Sequence, residues 1–437
     1  MRFFAAVAVG ILLAWAFARL RRFISIGCAY KAKALASALF VSKLDLSPDT
    51  APEISAEAYM LMRLFRTQVD RKVKTVTVSF LGFQPRVAAW RPGYGATLTD
   101  RPLPLIPATD VARGVEWTTA EHPALRPILE AAFTEPGPRQ RRTRAVVVIQ
   151  DGVIVGEHYA PGITAATPLN GWSMTKSVMS ALIGTLIGAK KLALTDKKLL
   201  REWDEPNDPR SAIALEDLLR MRSGLRFSEV YSDTQSDVTR MLYDVYNAAD
   251  FAASRPLETT PASTWKYSSG TSNILSLIAR RAVGEADYPS WPRRALFNPL
   301  GMDSAVFETD ATGTFIGSSY LFASARDWAR FGLLYVNGGE ELLPKGWTSF
   351  AASPTPQAPD GKYGAHWWLK LSPDQGGQTP AAAKIPADAF HALGHEGQCL
   401  TVIPSRRLVV VRLGLSIDIK AWDHAAFLAA LLDALPA

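Results

Sequence analysis

The order of β-rich and helical segments predicts a mixed α/β fold of the α+β kind. An antiparallel sheet would be flanked by helices and joined to a mostly helical subdomain. Three observations carry this. Two β-rich runs, "TRAVVVIQ" and "VIVGEHYA", flank Asp151-Gly152. A block from Ser173 to about Leu300 has helical periodicity. Short aromatic or β-branched runs then return close together before a last helix. Adjacent strands with short links pair antiparallel, and helices before, between and after them would cover both faces.

The elements follow in order. Phe3 to Ala18, "FFAAVAVGILLAWAFA", is sixteen residues without a charge, short of the roughly 20 that a full span usually needs. "AFA" before Arg19 resembles a cleavage site, yet "RLRR" follows at once. A retained anchor and a cleaved signal are both open, with a buried helix as the plainer third reading. Residues 1–22 are thus assigned as a membrane anchor or signal segment and 23–135 as an N-terminal extension that packs on the main body. A helix is expected at "SAEAYMLMRLFRTQV", followed by Pro- and Gly-broken segments such as "RPGYGATLTDRPLPLIP". "PGPRQRR" reads as a linker, and 136–437 as the main domain, with 173–309 its mostly helical part. The Asp-Gly pair signals a hairpin. "MTKSVMSALIGTLIGAKK" has an apolar face at period 3.6 with lysines at its end. Helices are expected at "ALEDLLRMRSGL" and "TSNILSLIARRAVG", and at "SARDWARFGLLYVNGG", capped by Ser324 and stopped by Gly338-Gly339. Strands are expected at "GAHWWLKL", "AFHALGH", "QCLTVIP" and "RLVVVRLGL", and a final helix at "AWDHAAFLAALLDAL".

Composition narrows the function. The chain has 437 residues, 48% hydrophobic and 20% charged, which is ordinary for a globular protein with a large core. Its net charge of +7 resides in the first 43 residues, which hold seven basic residues and no acidic one. Beyond them, 41 of the 48 basic residues balance 41 acidic ones. The basic excess is therefore a flank to an apolar segment, a membrane-targeting pattern, and no nucleic-acid surface. A membrane-associated location is expected, at an inner membrane facing the periplasm or the cell exterior, with the side open. Two cysteines, Cys28 and Cys399, exclude a disulfide framework and a cysteine-based zinc site. "SIGC" before Cys28 faintly suggests lipid attachment, but charges intervene. Cys399 lies in an apolar run and reads as a small buried residue.

Roughly one Ser-x-x-Lys match is expected by chance in a chain this long. Here there are two, Ser173–Lys176 and Ser263–Lys266. The second follows Pro261 in a turn-like stretch, where nothing aligns its side chains. The first opens a helix, where residues three apart share a face. A serine hydroxyl needs a base beside it, and a desolvated lysine can be that base. The helix N-terminus would favour a developing oxyanion. The competing reading is that Ser173 or Thr175 only caps the helix. "GWSMT" lacks the second glycine of G-x-S-x-G, which argues against an α/β-hydrolase elbow.

Two further stretches bear on the choice. "WKYSSGTSNILSLI" puts Tyr267-Ser268-Ser269 before a helix, and "HALGHEGQCLTVIPSRRLVVVRL" puts His395-Glu396-Gly397 between strands. In this order the chain resembles the serine β-lactamase and penicillin-binding-protein superfamily. It looks closest to the class C-like branch of esterases, D-aminopeptidases and 6-aminohexanoate-dimer hydrolases. The resemblance covers about 140–437 and implies a β-lactamase/transpeptidase-like fold. It makes Ser173 the acylated nucleophile, Lys176 its base and Tyr267 the proton relay. His395 would hold the substrate and tune Tyr267, and Gly397 belongs to the same strand motif. The backbone N–H groups of Ser173 and Gln398 would form the oxyanion hole. Ser269 stands where that superfamily more often has Asn, and His395 and Glu396 replace a lysine and a small polar residue. These departures weaken the case for β-lactam hydrolysis.

Plainer readings accompany these residues. Tyr267 could be a core aromatic, and Trp367 and Trp368 would divide between core and cleft. His391 and His395 have an i, i+4 spacing, but in a strand they would sit about 13 Å apart, and no H-E-x-x-H carboxylate accompanies them. The implied protein is a serine hydrolase that cleaves a small-molecule ester or amide through an acyl-enzyme, with no metal or cofactor. The alternatives are a D,D-peptidase or weak β-lactamase, and a non-catalytic penicillin-binding-like module. The oligomeric state is not legible in the sequence.

Overall fold

The computed structural model describes residues 2–48, 51–55, 57–103 and 109–436. Its first helix, α1 (Arg2–Phe40), runs 39 residues without a break at residue 22. Among the described residues no helix is long and apolar enough to cross a membrane. A short α2 (Pro52–Ser55) precedes a four-stranded antiparallel sheet of β1 (Phe65–Asp70), β2 (Thr75–Phe80), β3 (Phe83–Arg91) and β4 (Gly95–Thr99). One face of this sheet packs on the buried part of α1.

The helix expected at 55–69 is not formed. Ala56 lies outside the described residues, Glu57–Leu64 is a 3-10 turn and β1 follows. Phe65 pairs with Phe80 across the ladder, their rings 5.2 Å apart. Sheet pairing with β2 thus overrides the local helical pattern. Of the segments expected to be irregular, β4 occupies 95–99, and 104–108 lie outside the described residues.

The main sheet has the order β10–β11–β12–β5–β6, antiparallel throughout. After α3 (Arg126–Phe133) come β5 (Thr143–Gln150) and β6 (Val153–Tyr159), joined by Asp151 (φ 51°) and Gly152 (φ 80°) in the two-residue turn that Asp-Gly favours. A small sheet combines β7 (Leu169–Asn170), β8 (Val306–Phe307) and β9 (Leu321–Ala323). Between β7 and β8 lie α4 (Met174–Gly188), α5 (Leu215–Leu219), α6 (Asp237–Tyr243), α7 (Ala248–Ala253), α8 (Ser269–Val283) and α9 (Asn298–Leu300). α10 (Ala325–Val336) is capped by Ser324, which accepts from Asp327 N, and α11 (Trp347–Ala351) follows. β10 (Phe390–Gly394), β11 (Gln398–Ile403), β12 (Leu408–Gly414) and α12 (His424–Ala434) complete the fold.

"GAHWWLKL" forms no strand. His366, at φ 65°, turns the chain there, and only isolated bridges at Trp368 remain. Trp367 is buried against Phe331, while Trp368 faces the cleft beside Tyr267.

Alternation along the main sheet divides the core. Val146, Val148 and Val410 face α3 and α12, while Val147, Val409 and Val411 face α10 and the helical part.

Glu308, fully buried after β8, clamps the N-terminal unit to this body. Its carboxylate pairs with Lys33 and accepts from Ser37 Oγ (3.0 Å) and Ala96 N (2.6 Å). Removing one partner of a buried pair strands the other charge. Glu308→Ala or Lys33→Met is therefore expected to cost about 3–5 kcal/mol of stability, read by chemical denaturation. The double substitution to apolar residues should cost clearly less than the sum of the two. Additive losses would show that the ion pair is not the clamp.

Candidate active site

The site begins where β7 hands over to α4. Asn170 Oδ1 accepts from Trp172 N (2.9 Å), closing a tight turn, and Trp172 takes φ 47°, a strained conformation for a large residue. Gly171 and Gly394 let this turn approach β10. A Cβ on Gly394 would lie 2.2 Å from the Gly171 carbonyl oxygen, and one on Gly171 would strike the Trp328 ring at 2.2 Å.

Ser173 occupies the N-cap position of α4 but has helical φ/ψ and makes no capping bond. Thr175 does not cap either, since its hydroxyl accepts from Leu321 N (3.2 Å). The capping reading of this serine therefore fails, and its hydroxyl is left to Lys176, whose Nζ lies 2.9 Å away. Met174, Thr175 and Lys176 N–H groups donate to Gly171, Trp172 and Ser173 carbonyls, while among the described residues no backbone carbonyl accepts from Ser173 N–H. That group stays available at the helix N-terminus.

Lys176 is 1% exposed, and its Nζ also contacts Ser269 Oγ (3.1 Å) and the Ser318 carbonyl (3.0 Å). Desolvation lowers its pKa to about 8, against the raising field of Glu229. As an ammonium Nζ can donate to all three oxygens. Once neutral, it can keep two N–H bonds on Ser269 Oγ and Ser318 O and turn its lone pair to the Ser173 proton. Ser269 Oγ can accept from the amine because its own proton goes to Glu229, which also accepts from Ser269 N (2.9 Å) at the start of α8. Burial pushes the Glu229 carboxyl up, and the Lys176 field opposes this.

Tyr267 sits under this centre, its ring centroid 4.9 Å from Lys176 Nζ and its hydroxyl bonded to Ser173. Tyr363 and Trp368 hold the ring. Burial raises its pKa well above 10, so it carries its proton at neutral pH.

His395 was expected to tune Tyr267. It stacks on Tyr231 (5.0 Å) and meets the edge of Trp172 (5.3 Å). It lies in the turn between β10 and β11. His391 lies in β10, buried and bonded to Thr401 (2.9 Å). Glu396, at φ 61°, accepts from Trp172 Nε1 (3.0 Å) and pins the arm that carries the nucleophile. Gly397, at φ 79°, packs on Arg412, which donates to its carbonyl (2.8 Å). The Gln398 side chain is spent on the Gly414 backbone, with Nε2 donating to its carbonyl (2.7 Å) and Oε1 accepting from its N–H (2.9 Å). Only the backbone of Gln398 is left for an oxyanion. The second Ser-x-x-Lys is not a site, because Ser263 donates to the Thr260 carbonyl (2.6 Å) and Lys266 pairs with Glu258.

Sequence reasoning missed Glu229, Tyr231 and the Ser318 carbonyl. Glu229 lies 40 residues from Ser269, and no local pattern marks it. The one available signal was a carboxylate in an otherwise polar loop, "RFSEVYSD".

A family model described as Beta-lactamase matches residues 129–414. No curated protein matches the chain. Solved structures share its fold at low identity. One, from Bacillus anthracis and provisionally designated a 6-aminohexanoate-dimer hydrolase, is 21% identical with a TM-score of 0.58, over 74% of this chain and 89% of that one. EstCE1, a hydrolase with promiscuous acyltransferase activity, is 15% identical (TM-score 0.55; 71% and 97%). A penicillin binding protein from Bacillus halodurans is 17% identical (TM-score 0.53; 70% and 99%).

Proposed function

The chain belongs to the beta-lactamase family, and from that premise we propose that it is a serine hydrolase that cleaves an ester or linear amide through an acyl-enzyme. The observation that carries this reading is the Ser173 hydroxyl, uncapped and 2.9 Å from a buried lysine with a pKa near 8. Neutral Lys176 takes the Ser173 proton as Oγ attacks the substrate carbonyl. The carbonyl π electrons move to oxygen, and the oxyanion is met by Ser173 N–H and the Gln398 backbone. As the tetrahedral centre collapses, the Tyr267 hydroxyl protonates the leaving alcohol or amine and regains a proton through Lys176. Water then repeats the sequence on the acyl-enzyme and releases the acid.

Ser269 bears on the substrate. Its hydroxyl is committed to Lys176 and Glu229, so it is not free to hold a substrate amide as an asparagine could. His395 sits in an aromatic stack with no ammonium to offer a β-lactam carboxylate. Turnover of short-chain esters or linear amides is therefore expected to exceed nitrocefin turnover by about 10²-fold or more. A hydrolysis panel of esters, D-peptides, amide oligomers and nitrocefin tests this. Efficient nitrocefin hydrolysis would overturn the ranking, and absence of fluorophosphonate labelling would favour a binding module.

A further inference from the structure

One helix lives in two environments. From Ser25 to Leu39, α1 is largely buried against β2, β3 and β4. From Val7 to Phe23 its apolar side chains are exposed, Ile11 to 65% and Phe17 to 68%. Successive helix residues turn by about 100°, so Ile11, Leu12, Leu13, Trp15 and Phe17 point in all directions. A protein groove would cover one face of such a helix. A helix apolar on every side suits a medium that surrounds it.

A second observation comes from the β2–β3 hairpin. β3 runs the same way as α1. Arg86 donates to Ser25 Oγ (2.9 Å), while Lys33 reaches Glu308, which binds Ala96 N opposite Trp90. Phe80 pairs with both Phe83 and Phe65, and the Phe65 ring lies against Gly27, so the hairpin tip stands beside the start of the buried part of α1. At that tip Leu81 is 75% exposed and Phe83 71%. Leu61 and Leu64 are also exposed, just before Phe65, whose ring lies against Gly27 of α1. Arg19, Arg21, Arg63 and Arg66 are exposed around the same place, and the first 43 residues hold no acid.

We infer that Leu61, Leu64, Leu81 and Phe83 form an apolar collar that rests in the headgroup layer of an anionic membrane, with α1 up to Ala18 entering the hydrocarbon. The sixteen uncharged residues of Phe3 to Ala18 are about 24 Å long as a helix. That is less than the roughly 30 Å of a bilayer core, so the helix enters without crossing. The arginines at its exit sit where lipid phosphates lie. The collar fixes how the body stands on the surface. It does not depend on the hydrolase reading, because its readout is binding.

Cys28 and Cys399 are both buried, so in the full chain a thiol-reactive, environment-sensitive dye will mark Phe83→Cys selectively. With phosphatidylcholine vesicles containing phosphatidylglycerol, the protein is expected to float with the vesicles. The dye should shift to the blue, brighten severalfold and be quenched by a nitroxide at headgroup depth. The same dye at Val115→Cys, on a segment packed against Arg330, should not respond. Flotation should weaken in pure phosphatidylcholine and in high salt. Leu81→Asp with Phe83→Asp should weaken vesicle binding while circular dichroism and fluorophosphonate labelling stay unchanged. Flotation without any dye response at position 83 would overturn the collar. Absence of flotation would overturn the whole inference, as would a blue shift that needs no vesicles and grows with protein concentration, since a second copy would then cover the patch.

Discussion

Ser173→Ala is expected to abolish covalent labelling by a fluorophosphonate and to lower turnover by about 10⁴–10⁶-fold, the usual loss when one member of a catalytic unit is removed. Ser263→Ala should leave both nearly intact. The contrast follows from the surroundings of two identical motifs. Ser173 Oγ has a buried amine at 2.9 Å and no capping duty. Ser263 Oγ is exposed and donates to a carbonyl, and Lys266 is held by Glu258. Circular dichroism controls for folding, and losing one hydroxyl at this position should leave the helix intact, since no cap bond is lost. Retained turnover in Ser173→Ala would sink the mechanism.

The second large effect lies in the proton path. Lys176→Ala should prevent acylation, and Tyr267→Phe, which keeps the ring packing, should lower turnover by about 10²–10⁴-fold, the usual worth of one general acid–base group. The two losses should not add, because the groups serve one relay. The pH profile gives a sign to test. The base acts when neutral, so kcat/KM should rise with pH and level off above about 8, where Lys176 loses its proton. Glu229 holds that pKa up through its charge. Glu229→Gln should therefore lower it and move the acidic limb towards lower pH, while Gln can still accept from Ser269. Pre-steady-state acylation across pH measures this. A limb that stays in place would show that the Glu229 charge is not felt at the amine. A folded Tyr267→Phe that turns over an activated amide at the wild-type rate would make the tyrosine a packing residue.

Much of the site was legible because its first half is local. Ser173 and Lys176 are three residues apart on a helix, and helix geometry alone brings them together. The Asp151-Gly152 hairpin and the Ser324 cap are likewise set by turn and cap chemistry within a few residues. The order of Tyr267 and the β10–β11 motif pointed to the family and hence the fold. The N-terminal sheet was not legible, because the pattern over 55–69 suits a helix until β2 pairs with its second half. The ring partners of His395, Tyr231 and Trp172, were not legible because a turn residue takes its direction from the whole hairpin.

By itself, then, the sequence determined the pairing of Ser173 with Lys176 on one helix face, the antiparallel character of the main sheet and the apolar, basic start of α1. Each is written in spacings of one to four residues or in composition, which the unfolded chain already contains. Only the tertiary structure decided the lysine's protonation and the serine's freedom. The amine is near pKa 8 because burial strips its water while the Glu229 charge partly offsets the loss, and its contacts Ser269 and Ser318 come from 93 and 142 residues away. Desolvation and charge fields belong to a place in space rather than to a position in the chain, so they come into being only when these distant segments meet.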